Sequence, residues 1–255
     1  MNTLNIFVTG GASGIGLGIA GALAADGHHM IIADIDVDAA TKAADHLQSQ
    51  GFSAQAVQLN VCDALQISRL NETLSATPVD VLVNNAGIQH VSRLEDFPAA
   101  KWQQLIDIML VGPALLTQAF LPGMRERNFG RIINVGSIHS VIASPYKSAY
   151  VAAKHGLLGF AKTVALETGD CDVTINTLCP AYVKTPLVEK QIADQARENN
   201  LSEEDVVNRI MLEPMPKKAF ITVEELAATA RFLISDNARN ITGQTMILDG
   251  GWTAR

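Results

Sequence analysis

Cysteine is scarce in this chain. Its 255 residues include three, Cys62, Cys171 and Cys179. The count is odd and no Cys-x-x-Cys pair occurs, which argues against a disulfide framework and against a zinc site. Three small buried thiols in a reducing compartment are expected, and no metal is called for. Positive charge is also short: 19 Lys and Arg stand against 26 Asp and Glu, a net charge of −7 with no long basic block. Nucleic acid therefore has little electrostatic footing here. An acidic protein that binds an anionic substrate needs a few local cations instead. No basic leader with an apolar core opens the chain, and Leu4 to Thr9 reads directly as a strand. The most apolar stretch, Ile106 to Leu121, is interrupted by Asp107, Gly112, Pro113 and Gln118. It reads as a buried helix and not as a membrane span. The expectation is a soluble cytoplasmic protein with neither a membrane nor a nucleic-acid partner.

What the chain does have is a regular rhythm. Hydrophobic residues make up 48% and charged residues 18%, a globular balance. Strand patterns at Asn5–Thr9, His29–Ala33, Ala54–Leu59, Asp80–Val83, Arg131–Gly136, Val173–Leu178 and Gln244–Leu248 alternate with helical ones. The helices are expected at Gly14–Ala25, Val37–Gln50, about Asp63–Ser75, about Ala99–Arg127 with a break near Pro113, and from Ser148 onward. Alternation of this kind predicts βαβ units and an α/β fold: a doubly wound, Rossmann-type parallel sheet of seven strands with helices on both faces. No repeat, linker or low-complexity segment interrupts it, so residues 1–255 read as one domain. The polar helical segment 186–216 has no strand of its own. It is either a lid over a cleft or a surface helical hairpin.

Two stretches carry chemistry. Thr9-Gly10-Gly11-Ala12-Ser13-Gly14-Ile15-Gly16 joins the first strand to the first helix. Glycines let the backbone approach a pyrophosphate, and the helix N-terminus offers it N–H groups. Asp34 ends the second strand, where a carboxylate can accept from ribose hydroxyls and repel a 2′-phosphate. Asp36 and Asp38 add negative charge and the glycine loop holds no Arg or Lys, which favours NAD over NADP. Asn84-Asn85-Ala86-Gly87 either lines the adenosine or forms a turn. The second stretch runs from Ser137 to Lys154. Tyr150 and Lys154, four apart, share one helix face. An ammonium near a phenol lowers the phenol's pKa and prepares it to exchange a proton. Ser137, at a strand's end, is placed to hydrogen-bond the same substrate oxygen.

Taken in order, Thr9–Gly16, Asn84–Gly87, Ser137 and Tyr150-x-x-x-Lys154 resemble the short-chain dehydrogenase/reductase family over nearly the whole chain. Within it, Gly87–His90, Glu95–Pro98, Ser148–Gly156, Thr185–Ile192 and Gly251–Arg255 are similar to the bacterial D-3-hydroxybutyrate dehydrogenases. The resemblance implies oxidation of D-3-hydroxybutyrate with NAD, with Ser137, Tyr150 and Lys154 catalytic. Another short-chain alcohol or polyol dehydrogenase, or a non-catalytic NAD(H)-binding regulator, stands as the alternative. For the cofactor the resemblance implies Gly10, Ser13, Gly14, Ile15, Gly16, Asp34, Asn60, Val61, Asn85, Gly87, Tyr150, Lys154, Pro180, Val183 and Thr185. For a short hydroxy acid it implies Gln89, Ser137, His139, Lys147, Tyr150, Tyr182 and Trp252. Lys147 with an amide or imidazole donor would hold the carboxylate. A homotetramer is expected on the same ground.

Four positions depart from the family pattern. Met109 stands where the family commonly has an Asn that helps anchor a relay water. Asn60 replaces an Asp, Ala181 a Gly, and Tyr182 a Trp of the closest relatives.

Overall fold

The structure, a computed structural model, describes residues 3–254. The ends of the expected domain, and Arg255 of the terminal motif, lie outside the described residues. Seven strands form one sheet in the order β3-β2-β1-β4-β5-β6-β7. They are β1 (Asn5–Thr9), β2 (His29–Asp34), β3 (Ala54–Gln58), β4 (Val81–Asn84), β5 (Gly130–Val135), β6 (Val173–Pro180) and β7 (Thr245–Leu248). All six pairings are parallel. β4, β5 and β6 are buried along their whole length. That burial takes in polar side chains as well: Arg131 and Asn134 of β5 and Thr174, Asn176 and Thr177 of β6 are buried with their apolar neighbours.

Helices cover both faces. On one, α1 (Gly14–Ala25), α2 (Val37–Ser49) and α10 (Val223–Ile234) enclose a core that includes Ile6, Val8, Ile32 and Val83. On the other, α6 (Gly112–Glu126) and α7 (Ser148–Glu167) pack with Phe7, Leu82, Ile132 and Ile175. Side chains mark several starts: Asp36 caps α2, and Thr222 with Glu225 forms a capping box at α10. β1 and β4 are neighbours although two strands separate them in sequence. Their carboxyl ends therefore open at the topological switch point, where crevices form in such sheets.

Three expectations are corrected. The helix over 63–75 is two short ones, α3 (Ala64–Ser68) and α4 (Leu70–Thr73), divided at Arg69. The long helix does not break at Pro113; it runs continuously over Ala99–Glu126. Pro113 is the second residue of α6 and directly follows a π-turn, a widening that accommodates its missing N–H without ending the helix. That π-turn, Asp107–Val111, links α5 (Ala99–Ile106) to α6. By length and composition this helix is apolar enough to cross a membrane, with 39% of its most apolar stretch buried; Leu105, Leu116, Phe120 and Met124 are among its buried side chains. Of the cysteines only Cys179 is buried; Cys171 is intermediate and Cys62 exposed.

The segment after β6 forms α8 (Pro186–Asn199), α9 (Glu203–Val206) and a π-turn, Val207–Met211. Its small core of Ile192, Val206 and Met211 packs on Tyr182 and Phe220.

Candidate active site

The turn after β1 is stitched to the end of β4. Thr9 Oγ1 accepts the N–H groups of Asn85 at 3.0 Å and Ala86 at 3.1 Å. The Asn85 amide returns two bonds, to Thr9 O at 2.9 Å and Gly10 O at 3.0 Å. Gly10 has a left-handed φ of 58°. At Gly16 a Cβ would lie 2.5 Å from both Gly10 O and Asn85 Nδ2, so only glycine lets α1 start so close to the turn. Ser13 is the N-cap of α1 but makes no side-chain cap, which leaves first-turn N–H groups without a side-chain acceptor. Asp34 is fixed at the end of β2: its carboxylate accepts from Ala12 N–H at 3.3 Å and Asp36 N–H at 3.2 Å.

These groups line a cleft of about 430 Å³ that reaches from Asp34 past Asn60, Val61 and Gly87 to Tyr150 and Lys154. A glycine turn closed to any side chain, a bare helix N-terminus and a fixed carboxylate at the far end fit a dinucleotide. Gly10, Ser13, Gly14, Ile15, Asp34, Asn60, Val61, Asn85, Gly87, Tyr150, Lys154 and Thr185 all face this cleft. Gly16 is buried behind it. Asn60 Oδ1 already accepts the Cys62 N–H at 3.0 Å, because the residue closes its own turn. Expected cofactor residues Pro180 and Val183 lie instead on a second, smaller cavity, and Thr185 borders both.

That second cavity, about 110 Å³, gathers Gln89, Ser137, His139, Lys147, Tyr150 and Tyr182 from four parts of the chain. Trp252 does not line it. Its ring stacks on Tyr182 with centroids 6.0 Å apart and stands edge-on to His139. Ser137 caps the short 3₁₀ turn Ile138–Ser140, so its oxygen faces His139 N–H at 3.2 Å and the His139 ring Nδ1 at 3.4 Å. The Ser137 hydroxyl lies close enough to Tyr150 to favour its phenolate. His139 Nε2 contacts Ser144 Oγ at 2.7 Å. Both ring nitrogens thus already have hydroxyl partners, and His139 as it stands has no free donor for a carboxylate. Burial, then repulsion from Lys147 and His155, lowers its pKa to about 4.

Tyr150 corrects the sequence reading. Lys154 does not lower its pKa in this structure. Burial raises the phenol, with the Ser137 hydroxyl opposing. The Lys154 amine is turned to Val135 O at 2.6 Å and lies 5.7 Å from the Tyr150 ring centre. Burial lowers its own pKa to about 8, so it stays mostly charged near neutral pH while its proton is directed at Val135 O. Lys147 is half-buried, and burial lowers its pKa also. Its ammonium has no hydrogen bond or ion pair among the described residues; its carbonyl accepts the Val151 N–H at 2.8 Å. Gln89 uses its side-chain oxygen on His90 N–H at 3.0 Å and keeps its NH₂ free of partners among them.

Met109 sits in the π-turn with 1% of its surface exposed. It packs with Leu105, Ala149, Ala153 and Tyr150. A Cβ at Gly87 would be 3.5 Å from its sulfur. The thioether therefore fills the space beside the Tyr150 helix with an apolar group. The sequence reading missed Gln191, which lines the small cavity with Val188. The signal was present: Thr185 is the N-cap of α8, and Thr185, Val188 and Gln191 are spaced by three, so they share a face.

Residues 4–196 match the family described as short chain dehydrogenase. The D-beta-hydroxybutyrate dehydrogenase of Rhizobium meliloti (strain 1021) is 43% identical over 259 aligned positions, covering 99% of this chain and all of that protein. The protein of the same name from Cupriavidus necator is 44% identical over 258, covering all of both. A 3-oxoacyl-[acyl-carrier-protein] reductase of Synechocystis is 37% identical over 248, covering 96% of this chain and 94% of that protein.

Proposed function

We propose that this chain, which belongs to the short chain dehydrogenase family, oxidises D-3-hydroxybutyrate to acetoacetate, reversibly, with NAD. The observation that carries the substrate reading is Lys147. It is a half-buried ammonium with no partner among the described residues, on a small cavity bordered by Tyr150 and Ser137. A buried cation is stable only when something offsets its desolvation, and a short acid's carboxylate would do so. Gln89 and Gln191 line the same cavity and offer neutral donors. The two relatives that carry the name D-beta-hydroxybutyrate dehydrogenase support the same substrate.

The nicotinamide, when bound, supplies the hydride acceptor. The chain's own residues do the rest. Tyr150, as phenolate, takes the hydroxyl proton as the substrate is oxidised. Ser137, beside Tyr150, holds the reacting oxygen. Lys154, one helical turn from Tyr150, lines the cofactor cleft and would bind the nicotinamide ribose. Asp34 would hold the adenosine ribose. Its carboxylate, with Asp36 and Asp38 nearby in sequence, supports NAD over NADP by repelling a 2′-phosphate. The same reading carries a cytoplasmic homotetramer; Leu166 on α7, 85% exposed, is the kind of side chain an interface would cover.

Initial rates with NAD and NADP, on both enantiomers of 3-hydroxybutyrate and on neutral secondary alcohols, test this. Preference for NAD and for the D-acid is expected. Faster turnover of neutral alcohols would discard the carboxylate reading, and preference for NADP would discard the role of Asp34.

A further inference from the structure

Among the described residues four non-glycines have left-handed backbones: Asn128, Tyr146, Asn200 and Lys218. Two are asparagine, which tolerates that region. Asn200 follows α8 and closes it. Tyr146, at φ 67°, is the bulky one. Its side chain is 54% exposed, so burial of the ring does not hold it there. Its carbonyl accepts the Ser92 N–H at 2.9 Å, and Ser92 lies three residues past Gln89.

Lys147 comes next. It is the N-cap of the 20-residue helix α7 and makes no side-chain cap. A cation there opposes the helix dipole. Three locally unfavourable choices thus fall together: a left-handed aromatic, a lysine at a helix N-terminus, and burial of that lysine without a partner. Strain that clusters this way is kept where the surrounding structure uses it. An extended or right-handed Tyr146 would rotate the next peptide and turn Lys147 away from the cavity it lines.

We propose that the left-handed backbone of Tyr146, pinned by Ser92, aims Lys147 into the substrate cavity and fixes its spacing from Gln89. Tyr146 is a positioning residue whose backbone, not its ring, matters. This rests on the reading of Lys147 as the carboxylate's partner.

A graded series tests it. Glycine and asparagine accept the left-handed region, alanine less well, and β-branched valine least. KM and kcat for D-3-hydroxybutyrate, the Kd for NADH and kcat/KM for a neutral secondary alcohol are measured on Tyr146→Gly, Tyr146→Asn, Tyr146→Ala and Tyr146→Val. Gly and Asn should stay near the parent. Val should raise KM for the acid about tenfold or more, the scale of a lost charge-assisted hydrogen bond, with NADH binding and the neutral alcohol unchanged. Ala should fall between, and decides the matter if Val does not fold. A KM indifferent to the series, or Gly and Asn as damaging as Val, overturns the proposal. Lys147→Ala separates the two readings. If it leaves KM unchanged, the carboxylate clamp itself fails; if it raises KM while the Tyr146 series does not, only the positioning role fails.

Discussion

The two ends of the cleft are built on opposite principles. At the nucleotide end the turn and the carboxylate are already held by the protein, and only the α1 N-terminus is left bare: Thr9, Gly10, Asn85 and Ala86 bond one another, and Asp34 is fixed by Ala12 and Asp36. At the substrate end the Lys147 ammonium has no partner among the described residues, Tyr146 is strained, and burial lifts the Tyr150 pKa. The first end is a turn closed by its own hydrogen bonds. On the proposed reading the second keeps Lys147 unpaired for a small anion, and such a group cannot also maximise stability.

Mutations should separate these two behaviours. Tyr150→Phe removes the proton acceptor and touches none of the stitching. It should lower kcat by about 10²–10⁴, the usual range for general-base loss, with NADH binding intact by fluorescence titration. An unchanged kcat would take Tyr150 out of the mechanism. Gly16→Ala strikes the other end. Its Cβ would meet Gly10 O and Asn85 Nδ2 at 2.5 Å, and overpacking of this kind costs about 1–3 kcal/mol. The damage should show in the thermal midpoint of the cofactor-free protein as well as in NADH affinity. If only affinity moved, the cradle would not be pre-formed.

Met109→Asn probes the boundary between the two ends. It should preserve or raise kcat in the hydroxy-acid assay, because an amide can hold water beside the Tyr150 helix where a thioether cannot. A large fall would show that the site has adapted around the sulfur.

The smallest effect concerns pH. His139 has an ordinary pKa of 6.5, lowered in the fold to about 4 by burial first and by Lys147 and His155 next. Between those values the unfolded chain binds a proton that the native chain refuses. This contribution to stability is therefore full above pH 6.5 and falls away as pH drops toward 4. In calorimetric scans His139→Gln should lose less of its melting temperature across that window. An identical slope in both proteins would remove His139 from the acid limb.

Much of this was legible in the sequence. All seven strands were, because short segments rich in β-branched and apolar residues alternate with helical ones, a rhythm that is local to the chain. The glycine turn was legible because its chemistry is local: a strand, three glycines, a helix, and Asp34 at the next strand's end. Gly16 could be assigned to the turn, but not the reason for it, since the contact with Asn85 joins positions 69 residues apart. The π-turn at Met109 leaves no composition signal. Pro113, a residue that did leave one, drew the expected break to the wrong turn.

The order of strands and helices, the dinucleotide cradle and the pairing of Tyr150 with Lys154 were determined by the sequence itself, through periodicity and spacing within single elements. Only the tertiary structure decided what those groups are free to do. It turned Lys154 to Val135 O, gave both His139 nitrogens to serines, and left the Lys147 ammonium without a partner among the described residues, behind a left-handed Tyr146. Burial and hydrogen-bond partners set protonation and direction, and both come from residues far apart in the chain, which spacing along it does not record.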